Sequence, residues 1–223
     1  MLHFIRQHKA WAAAAALVVL VVAYAASIFA YAYIEAPEVV AVYEASRPMP
    51  LSLENLTEEQ KRALLAVEDP NFYRHRGVDL STPGAGWTTI TQGLVKVLFY
   101  DGFSPGPLRY RKINQTIIAL ALDRRVSKDE QLRLFVNAVY LGERDGREVV
   151  GFEDGARSYF GKGFAELTRE EYLALVATIV APNDLSVATH PAENAERVRR
   201  IERLLAGGCS PRGLGDVYYE GCR

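Results

Sequence analysis

Apolar residues along the chain form one long uninterrupted stretch, followed by several shorter amphipathic ones. The long stretch, Trp11 to Ile34, reads WAAAAALVVLVVAYAASIFAYAYI and holds 24 residues without a charge. At 1.5 Å of rise per residue, a helix of that length can cross about 30 Å of hydrocarbon. A soluble core helix of the same length would need a polar stripe, and this segment has none. The pattern therefore predicts a transmembrane anchor over residues 11–34.

A cleavable signal peptide is the alternative interpretation of this stretch. Ala23-Tyr24-Ala25 and Ala30-Tyr31-Ala32 both have the form of a cleavage site. The apolar region of a signal peptide usually has about 7–15 residues, and the longer stretch here favours a retained anchor.

The charges on either side of the stretch predict its orientation. Arg6 and Lys9 precede it, and three acidic residues follow it, Glu35, Glu38 and Glu44. Because the basic flank of a membrane helix stays in the cytoplasm, residues 1–10 are expected there. We expect a single-pass protein of the plasma (inner) membrane, with the rest of the chain on the periplasmic or extracellular side.

The exported part shows mainly helical periodicity. Three S/T-x-x-E/Q capping boxes precede apolar periodic stretches and predict helices near residues 58–68, 128–140 and 169–180. Three further helical patterns cover about residues 88–99, 111–125 and 192–206. Residues 35–55 are interpreted as a linker with some extended structure, because three prolines discourage helix and VVAVYE at 39–44 has a strand pattern. The fold class expected is mainly α.

Composition argues against some classes of function and leaves open whether the two cysteines form a disulfide. Apolar residues make up 49% of the chain and charged residues 24%, with a formal net charge of -1. This composition argues against wholesale disorder and against a nucleic-acid partner. Cys209 and Cys222 could close a disulfide in an oxidising compartment or remain two unrelated thiols. No Cys/His cluster has zinc-ligand spacing, so no metal site is predicted.

The first candidate for chemistry is the acidic pair Glu68-Asp69, which ends the apolar helix ALLAVED. A carboxyl group at the end of a buried helix beside another acid can have a raised pKa, as a general base working near neutral pH requires. The alternative is a solvated helix end paired with Arg74 or Arg76.

Two further blocks place polar residues at helix starts. In TTITQGLVK, Lys96 lies roughly on the helix face of Thr89 and Gln92, and the free N–H groups of the helix start suit anionic oxygens. An ordinary amphipathic helix is the alternative. Adjacent cations in Arg109-Tyr110-Arg111-Lys112 oppose the helix dipole, so we expect a compensating carboxylate or phosphate. The Gly/Pro/Ser-rich segments 81–87 and 101–108 before these helices could bind ligand or simply connect.

Taken together, six blocks resemble the peptidoglycan glycosyltransferases of family 51 over about residues 56–200. In order they are ALLAVEDPNFYRHRGVD, TTITQGLVK, RK before an apolar helix, SKDEQLRLFVNAVYLG, GFEDGARSYFGK and APNDLSVATHPAENAERVRR. The family comprises the transglycosylase modules of class A penicillin-binding proteins and monofunctional relatives. The resemblance implies a lysozyme-like helical domain over residues 56–206, followed by a tail at 207–223. Because the remaining chain has no room for a transpeptidase domain, a monofunctional member is expected.

The resemblance also implies an activity, partners and roles for residues. The protein would polymerise lipid II into glycan strands and release undecaprenyl pyrophosphate, with lipid II, the nascent strand, membrane lipid and other cell-wall synthesis proteins as partners. Glu68 would be the catalytic general base, and a divalent cation, Mg²⁺ or Mn²⁺, is the expected cofactor if one is used. The implied substrate-binding residues, in which the cations stabilise the pyrophosphate, are Asp69, Thr89, Gln92, Lys96, Arg111 and Lys112. Residues expected to position or support the structure are Phe72, His75, Asn137 and Tyr140.

Several departures from the family pattern bear on activity. Gln115 stands where R-K-x-x-E has its glutamate, which also weakens the expectation of a cation. Trp87, Thr88 and Gly93 depart from Gly-Ser-Thr-Ile-Thr-Gln-Gln, and residues 80–87 form a shorter segment than in relatives. We expect an active but divergent glycosyltransferase. The alternatives are a catalytically impaired scaffold that binds lipid II or glycan, and a glycan hydrolase.

Overall fold

The chain is mainly α-helical with a long apolar helix at its N-terminus, as the sequence predicts. The computed structural model describes residues 2–100 and 108–223, and describes side chains for 11–100 and 111–223. Most of the segment 101–108, considered above as a binding loop, and the Arg109 side chain therefore lie outside the described residues.

The first helix, α1, extends over Leu2–Ser46 and passes through Pro37. The extended structure expected within residues 35–55, including the strand pattern at 39–44, is therefore wrong up to Ser46. Pro37 removes one backbone donor from the helix, but tertiary packing offsets that loss. One face of α1 is buried at Ala32, Ala36 and Val40, and these positions recur every four residues and so share a face.

The two halves of α1 have different surroundings. Residues from Trp11 to Val22 are exposed and apolar, and in the described part of the chain α1 alone is long and apolar enough to cross a membrane. The second half lies against the helix α4, Leu108–Arg125. Tyr24 Oη donates to Asn114 Oδ1 at 3.2 Å, and the Arg125 guanidinium lies 4.8 Å from the Tyr33 ring centroid.

The predicted helices of the domain are all present. After a 3₁₀ turn at Leu53–Asn55 come α2 at Glu58–Glu68, α3 at Ile90–Phe99, α4, and α5 at Lys128–Ala138. The later helices are α7 at Arg169–Thr178 and α8 at Pro191–Leu205. Reciprocal capping boxes begin α2 and α7 as expected. At α5, the Ser127 side chain accepts from the N–H of Glu130. The Glu130 side chain forms an ion pair with Arg133 instead of bonding the N–H of Ser127.

A β-hairpin and one more helix lie where the sequence analysis placed no element. Strands β1 (Tyr140–Arg144) and β2 (Arg147–Val150) pair antiparallel, and α6 follows at Phe152–Phe160. Asp145 and Gly146 both have positive φ, at 54° and 76°, as a two-residue hairpin turn requires. This Asp-Gly pair between short strands was the signal that could have identified the hairpin.

The core lies around α5 and α7, whose residues are buried on nearly every side. Helices α3 and α4 cover one side of this core, and α2, α6 and α8 cover the other. The remaining 3₁₀ turns, Phe164–Glu166 and Glu220–Cys222, lie before α7 and at the end of the chain. A disulfide joins Cys209 to Cys222 in the tail, with their Cα atoms 5.3 Å apart.

Candidate active site

A cleft of about 1400 Å³ opens between α1, α3, the hairpin and α8. Its walls include both acidic and basic side chains, together with apolar surface from Val39, Val42 and Leu94. Glu68, at the end of α2, and Lys96, on α3, both line it. The fold therefore brings the predicted base and one predicted phosphate-binding cation to the same cavity.

The environment of Glu68 favours a neutral carboxyl group at moderate pH. Glu68 is half-buried at the edge of the cleft, and burial raises its pKa to about 7. The guanidinium of Arg197 opposes this shift, and the neighbouring carboxylate of Asp69 adds to it. A carboxyl group with a pKa near 7 is partly ionised at neutral pH. It can therefore accept a proton as a general base and later release it.

Asp69 faces the protein interior, although the sequence analysis placed it among the substrate-binding residues. It is 1% exposed, and its carboxylate accepts from His75 Nε2 at 2.9 Å and from the backbone N–H of Ile90 at 3.0 Å. Because the N–H of Gly77 donates to His75 Nδ1 at 3.0 Å, the ring hydrogen lies on Nε2 and points to Asp69. An anionic oxygen at the start of α3 is thus supplied by the chain's own Asp69, which links the end of α2 to α3.

Thr89 and Gln92 form a capping box that the sequence analysis did not recognise as one. Thr89 Oγ1 accepts from the N–H of Gln92, and Gln92 Oε1 accepts from the N–H of Thr89, both at 3.1 Å. Thr89 also donates to the carbonyl of Gly77 at 2.7 Å, and Gln92 Nε2 donates to Thr116. Thr89 borders the cleft while Gln92 lies behind its wall. Their hydrogen bonds build the start of α3, and direct contact with substrate stays a prediction.

The three predicted cations lie in different positions. Lys96 lines the cleft, and burial lowers the pKa of its ammonium. Lys112 donates to the carbonyl of Trp87 at 2.6 Å and to Thr88 Oγ1 at 3.1 Å, which both belong to residues of the cleft wall. Burial, and then the charge of Lys96, lower the pKa of Lys112 to about 8. Arg111 is not among the residues that line the cleft, and its guanidinium lies 5.4 Å from the Tyr100 ring centroid.

The lowered pKa values of Lys96 and Lys112 show that burial and, for Lys112, the nearby charge of Lys96 disfavour the charged forms. Two ammonium groups that are partly removed from water and repel each other would both be stabilised by an anion between or beside them. Binding of a diphosphate by these two lysines stays a prediction.

Arg197 lines the cleft beside Glu68, and the sequence analysis did not single it out. It is 3% exposed on α8, its Nη1 donates to the carbonyl of Val217, and its charge acts on Glu68. No side chain or backbone group of the described residues accepts a hydrogen bond from its Nε. The helical spacing of Asn194, Val198 and Ile201, all buried, places Arg197 on the inward face and was the signal that could have found it.

The described residues leave the expected divalent cation a prediction. They include no group of three or more His, Cys, Asp or Glu side chains that could hold a metal ion. The side chain at 115 is an amide whose nitrogen donates to the carbonyl of Gln92, so it brings no negative charge to a cation. We therefore derive no chemical step through Mg²⁺ or Mn²⁺.

Comparison with known proteins shows which family this chain resembles in sequence. A family model described as Transglycosylase matches residues 37–206. Penicillin-binding protein 1F of Bacillus subtilis (strain 168) is 33% identical over 173 residues, covering 72% of this chain and 23% of that protein. Penicillin-binding protein 1B of Escherichia coli (strain K12) is 35% identical over 155 residues, covering 64% of this chain and 18% of that protein.

A third relative has the same relationship. Penicillin-binding protein 1A of Pseudomonas aeruginosa is 31% identical over 193 residues, covering 79% of this chain and 22% of that protein. The chain thus spans less than a quarter of the length of each of these relatives. The family match begins inside α1 and ends with α8, so the tail lies beyond it.

Proposed function

Because the chain belongs to the transglycosylase family, we propose that it is a peptidoglycan glycosyltransferase, which polymerises lipid II into glycan strands and releases undecaprenyl pyrophosphate. One observation carries the proposal. Glu68, whose pKa is raised to about 7, lines the same cleft as Lys96, while Lys112 is held on the carbonyl of the cleft-wall residue Trp87. A base and a diphosphate-binding region are the two parts that the reaction requires.

In the proposed reaction, the 4-hydroxyl oxygen of the acceptor sugar forms a bond to the anomeric carbon of the donor. The hydroxyl proton moves to the Glu68 carboxylate, and the bond between the anomeric carbon and the pyrophosphate oxygen breaks. The electron pair of that bond stays on the leaving oxygen, where negative charge grows. Lys96 and Lys112 stabilise this charge, which is electrostatic catalysis at the point of charge development.

The hydrogen bonds behind the wall of the cleft keep these groups in place. Asp69 joins the end of α2, which carries Glu68, to the start of α3, which carries Lys96. Because a misplacement of about 1 Å can cost around 10²-fold in rate, this link supports catalysis without a need for Asp69 to touch substrate.

The replacement of the family's glutamate by Gln115 is compatible with activity. Gln115 is 4% exposed and its amide donates to the carbonyl of Gln92. It is not among the residues that border the cleft. The substitution therefore changes a bond inside the protein and leaves Glu68 and Lys96 facing the cavity, which favours an enzyme over a scaffold.

We also propose that α1 anchors the protein in the plasma (inner) membrane as a single pass, with the N-terminus in the cytoplasm. The exposed apolar half of α1 supports a membrane partner, and the flanking charges support the orientation. Lipid II would then lie in the same bilayer as the anchor, which raises its effective concentration at the cleft.

The test is polymerisation of purified lipid II by the full chain in detergent, compared with its Glu68→Gln variant. Loss of the base should lower the rate by about 10²- to 10⁴-fold. Glu58→Gln is the matched control, since Glu58 is a glutamate at the exposed start of the same helix. Circular dichroism checks that each variant is folded.

The same experiment distinguishes the proposed enzyme from the two alternative functions, a scaffold and a glycan hydrolase. If the wild type makes no glycan while an ordinary family member does so under the same conditions, the proposal is wrong. A scaffold would bind lipid II equally well as the wild type and as the Glu68→Gln variant, and would show no turnover in either form. Release of soluble muropeptides from purified sacculi would indicate a hydrolase instead.

A further inference from the structure

The tail beyond the family match contributes to the candidate active site. We define the tail loop as residues 209–222, closed by the disulfide between Cys209 and Cys222. It begins after residue 206, where the family match ends, yet Gly215 and Val217 line the cleft. We propose that Tyr219 in this loop is a positioning residue, which holds Glu68 and Arg197 in their working arrangement. This inference rests on the proposed function, because it concerns the same general base.

Tyr219 contacts the backbone directly before Glu68. Its side chain is 1% exposed, and its hydroxyl donates to the carbonyl of Val67 at 2.6 Å. The last carbonyls of a helix have no partner within the helix, and Val67 lies in the last turn of α2. The Tyr219 hydroxyl therefore fixes the turn that carries the base.

The same side chain also contacts the cation beside the base. The Arg197 guanidinium carbon lies 5.1 Å from the Tyr219 ring centroid, within the range of a cation–π interaction. Arg197 donates to the carbonyl of Val217 in the same loop. The charged and titratable groups whose influence reaches Glu68 are thus Asp69 on its own helix end, Arg197 on α8 and Tyr219 in the tail loop.

The tail loop is itself held in one conformation by several bonds. The Asp216 carboxylate accepts from the backbone N–H groups of Arg212, Glu220 and Gly221 at 2.7–3.0 Å. Arg200 on α8 donates to the carbonyl of Tyr218 at 3.1 Å. Together with the disulfide, these contacts allow Tyr219 to keep a backbone φ of 54°, which is uncommon for a residue other than glycine.

The tail loop also holds the short segment that precedes α3. The N–H groups of Gly84 and Gly86 donate to the carbonyls of Gly213 and Leu214, each at 2.9 Å. A side chain at position 84 would approach the Tyr219 ring to 2.9 Å, so the glycine allows the close contact. The tail loop thus contacts both the end of α2 and the wall segment on which Lys112 is held.

The experiment compares Tyr219→Phe with Tyr218→Phe in the full chain, with the disulfide intact. Phenylalanine keeps the ring beside Arg197 and removes only the donor to Val67. Tyr218 is the matched control, since it is the adjacent tyrosine and is 41% exposed. For Tyr219→Phe we expect kcat to fall about tenfold, with KM for lipid II within about twofold of wild type.

The pH profile separates positioning from a merely structural role. A looser end of α2 lets water reach the Glu68 carboxyl, which weakens the burial that raises its pKa. The acid limb of the kcat profile should therefore move to lower pH in Tyr219→Phe and stay in place in Tyr218→Phe. Wild-type kcat and an unshifted acid limb in folded Tyr219→Phe would overturn the proposal.

Two further measurements keep the result decisive. If Tyr219→Phe does not fold, the double variant Cys209→Ser with Cys222→Ser loosens the loop while keeping the hydroxyl, and the same changes are expected; wild-type behaviour would refute the proposal. If the wild type does not polymerise lipid II, an NMR titration of the Glu68 carboxyl in wild type and Tyr219→Phe reads the positioning directly. An unchanged titration then overturns the role of Tyr219, whereas absent polymerisation overturns only the proposed function.

Discussion

Gln115 donates its side-chain amide hydrogen to the backbone oxygen of Gln92 over 2.5 Å, and both side chains are buried. An ionised carboxylate at position 115 would have no hydrogen to donate and would face that oxygen with negative charge. The amide at this position therefore suits this chain better than the glutamate found in the family motif.

We predict that Gln115→Glu destabilises the folded chain at pH 7 by about 2–3 kcal/mol, because it leaves a buried charge without a donor partner. Gln115→Met is the control of similar size, which loses the hydrogen bond but adds no charge and should cost less. Unfolding by urea in detergent measures both free energies. The difference between the variants should shrink at acidic pH, where the protonated carboxyl can donate. A Gln115→Glu variant as stable as wild type at pH 7 would contradict this account.

The pH dependence of activity should follow Glu68. Its carboxyl must be ionised to accept the acceptor's proton, and its pKa is raised to about 7. Transfer should therefore rise with pH through a half-maximum near pH 7, and should fall again above about pH 8, where Lys112 loses the charge that stabilises the leaving group. Initial rates of lipid II polymerisation across pH 5–9, with folding checked at each pH, test this. A half-maximum near the ordinary value for a glutamate would show that burial does not govern the base.

Glu68 should also make the fold less stable as the pH rises. The folded-state pKa of about 7 is above the ordinary 4.5, so the folded chain binds more protons than the unfolded chain between these values. Its contribution to stability is fully present below about pH 4.5 and is lost as the pH rises through about 7, on the order of 3 kcal/mol. The free energy of unfolding of wild type minus that of Glu68→Gln isolates this contribution. A difference that stays flat over this window would refute it.

Gly93 should be a site where stability can be gained. It lies inside α3 and lines the cleft, and an added Cβ would meet only the Phe135 ring edge, at 3.9 Å. Gly93→Ala should raise the free energy of unfolding by about 0.5–1 kcal/mol, because glycine is costly inside a helix. Gly155→Ala is the contrasting control, since its Cβ would come within 2.7 Å of Leu141, and it should destabilise. Thermal unfolding of both variants compares them directly.

Asn137 should matter for stability more than for chemistry. Its amide donates to the carbonyls of Leu51 and Arg133 at 2.8 and 2.7 Å, and its oxygen accepts from the N–H of Leu51 at 3.0 Å. Asn137→Ala leaves the buried N–H and carbonyl of Leu51 unpaired and should cost about 2–4 kcal/mol. The rate per folded molecule, measured well below the melting temperature, should stay near wild type. A large loss of rate with unchanged stability would instead place Asn137 in the reaction.

Sequence patterns predicted the features that depend on interactions between residues close together in the chain. Capping residues and apolar periodicity predicted the helices that carry Glu68 and Lys96, and the structure places both residues in one cleft. The helix through Pro37 was not predictable in this way, because the local penalty of proline is offset by burial of Ala32 and Ala36 against α4, which lies far away in sequence.

Long-range contacts explain why the positions of two other side chains at the candidate site could not be predicted from the sequence. The inward direction of Asp69 depends on the Ile90 backbone, 21 residues away. The position of the Arg197 side chain depends on a tail loop that holds it through Val217, 20 residues further on. In neither case does a short sequence window contain the partner that decides where the side chain points.

The continuity of α1 has a geometric consequence for the cleft. A helix of 45 residues extends about 68 Å, and its second half supplies Glu38, Val39 and Val42 to the cleft wall. Because a continuous helix is stiff, a change in its length also rotates one of its ends relative to the other. One residue inserted into its exposed half would turn everything before the insertion by about 100° relative to the cleft and shift it by about 1.5 Å. In the proposed membrane anchor, the helix would thus set both the height and the orientation of the cleft relative to the membrane surface.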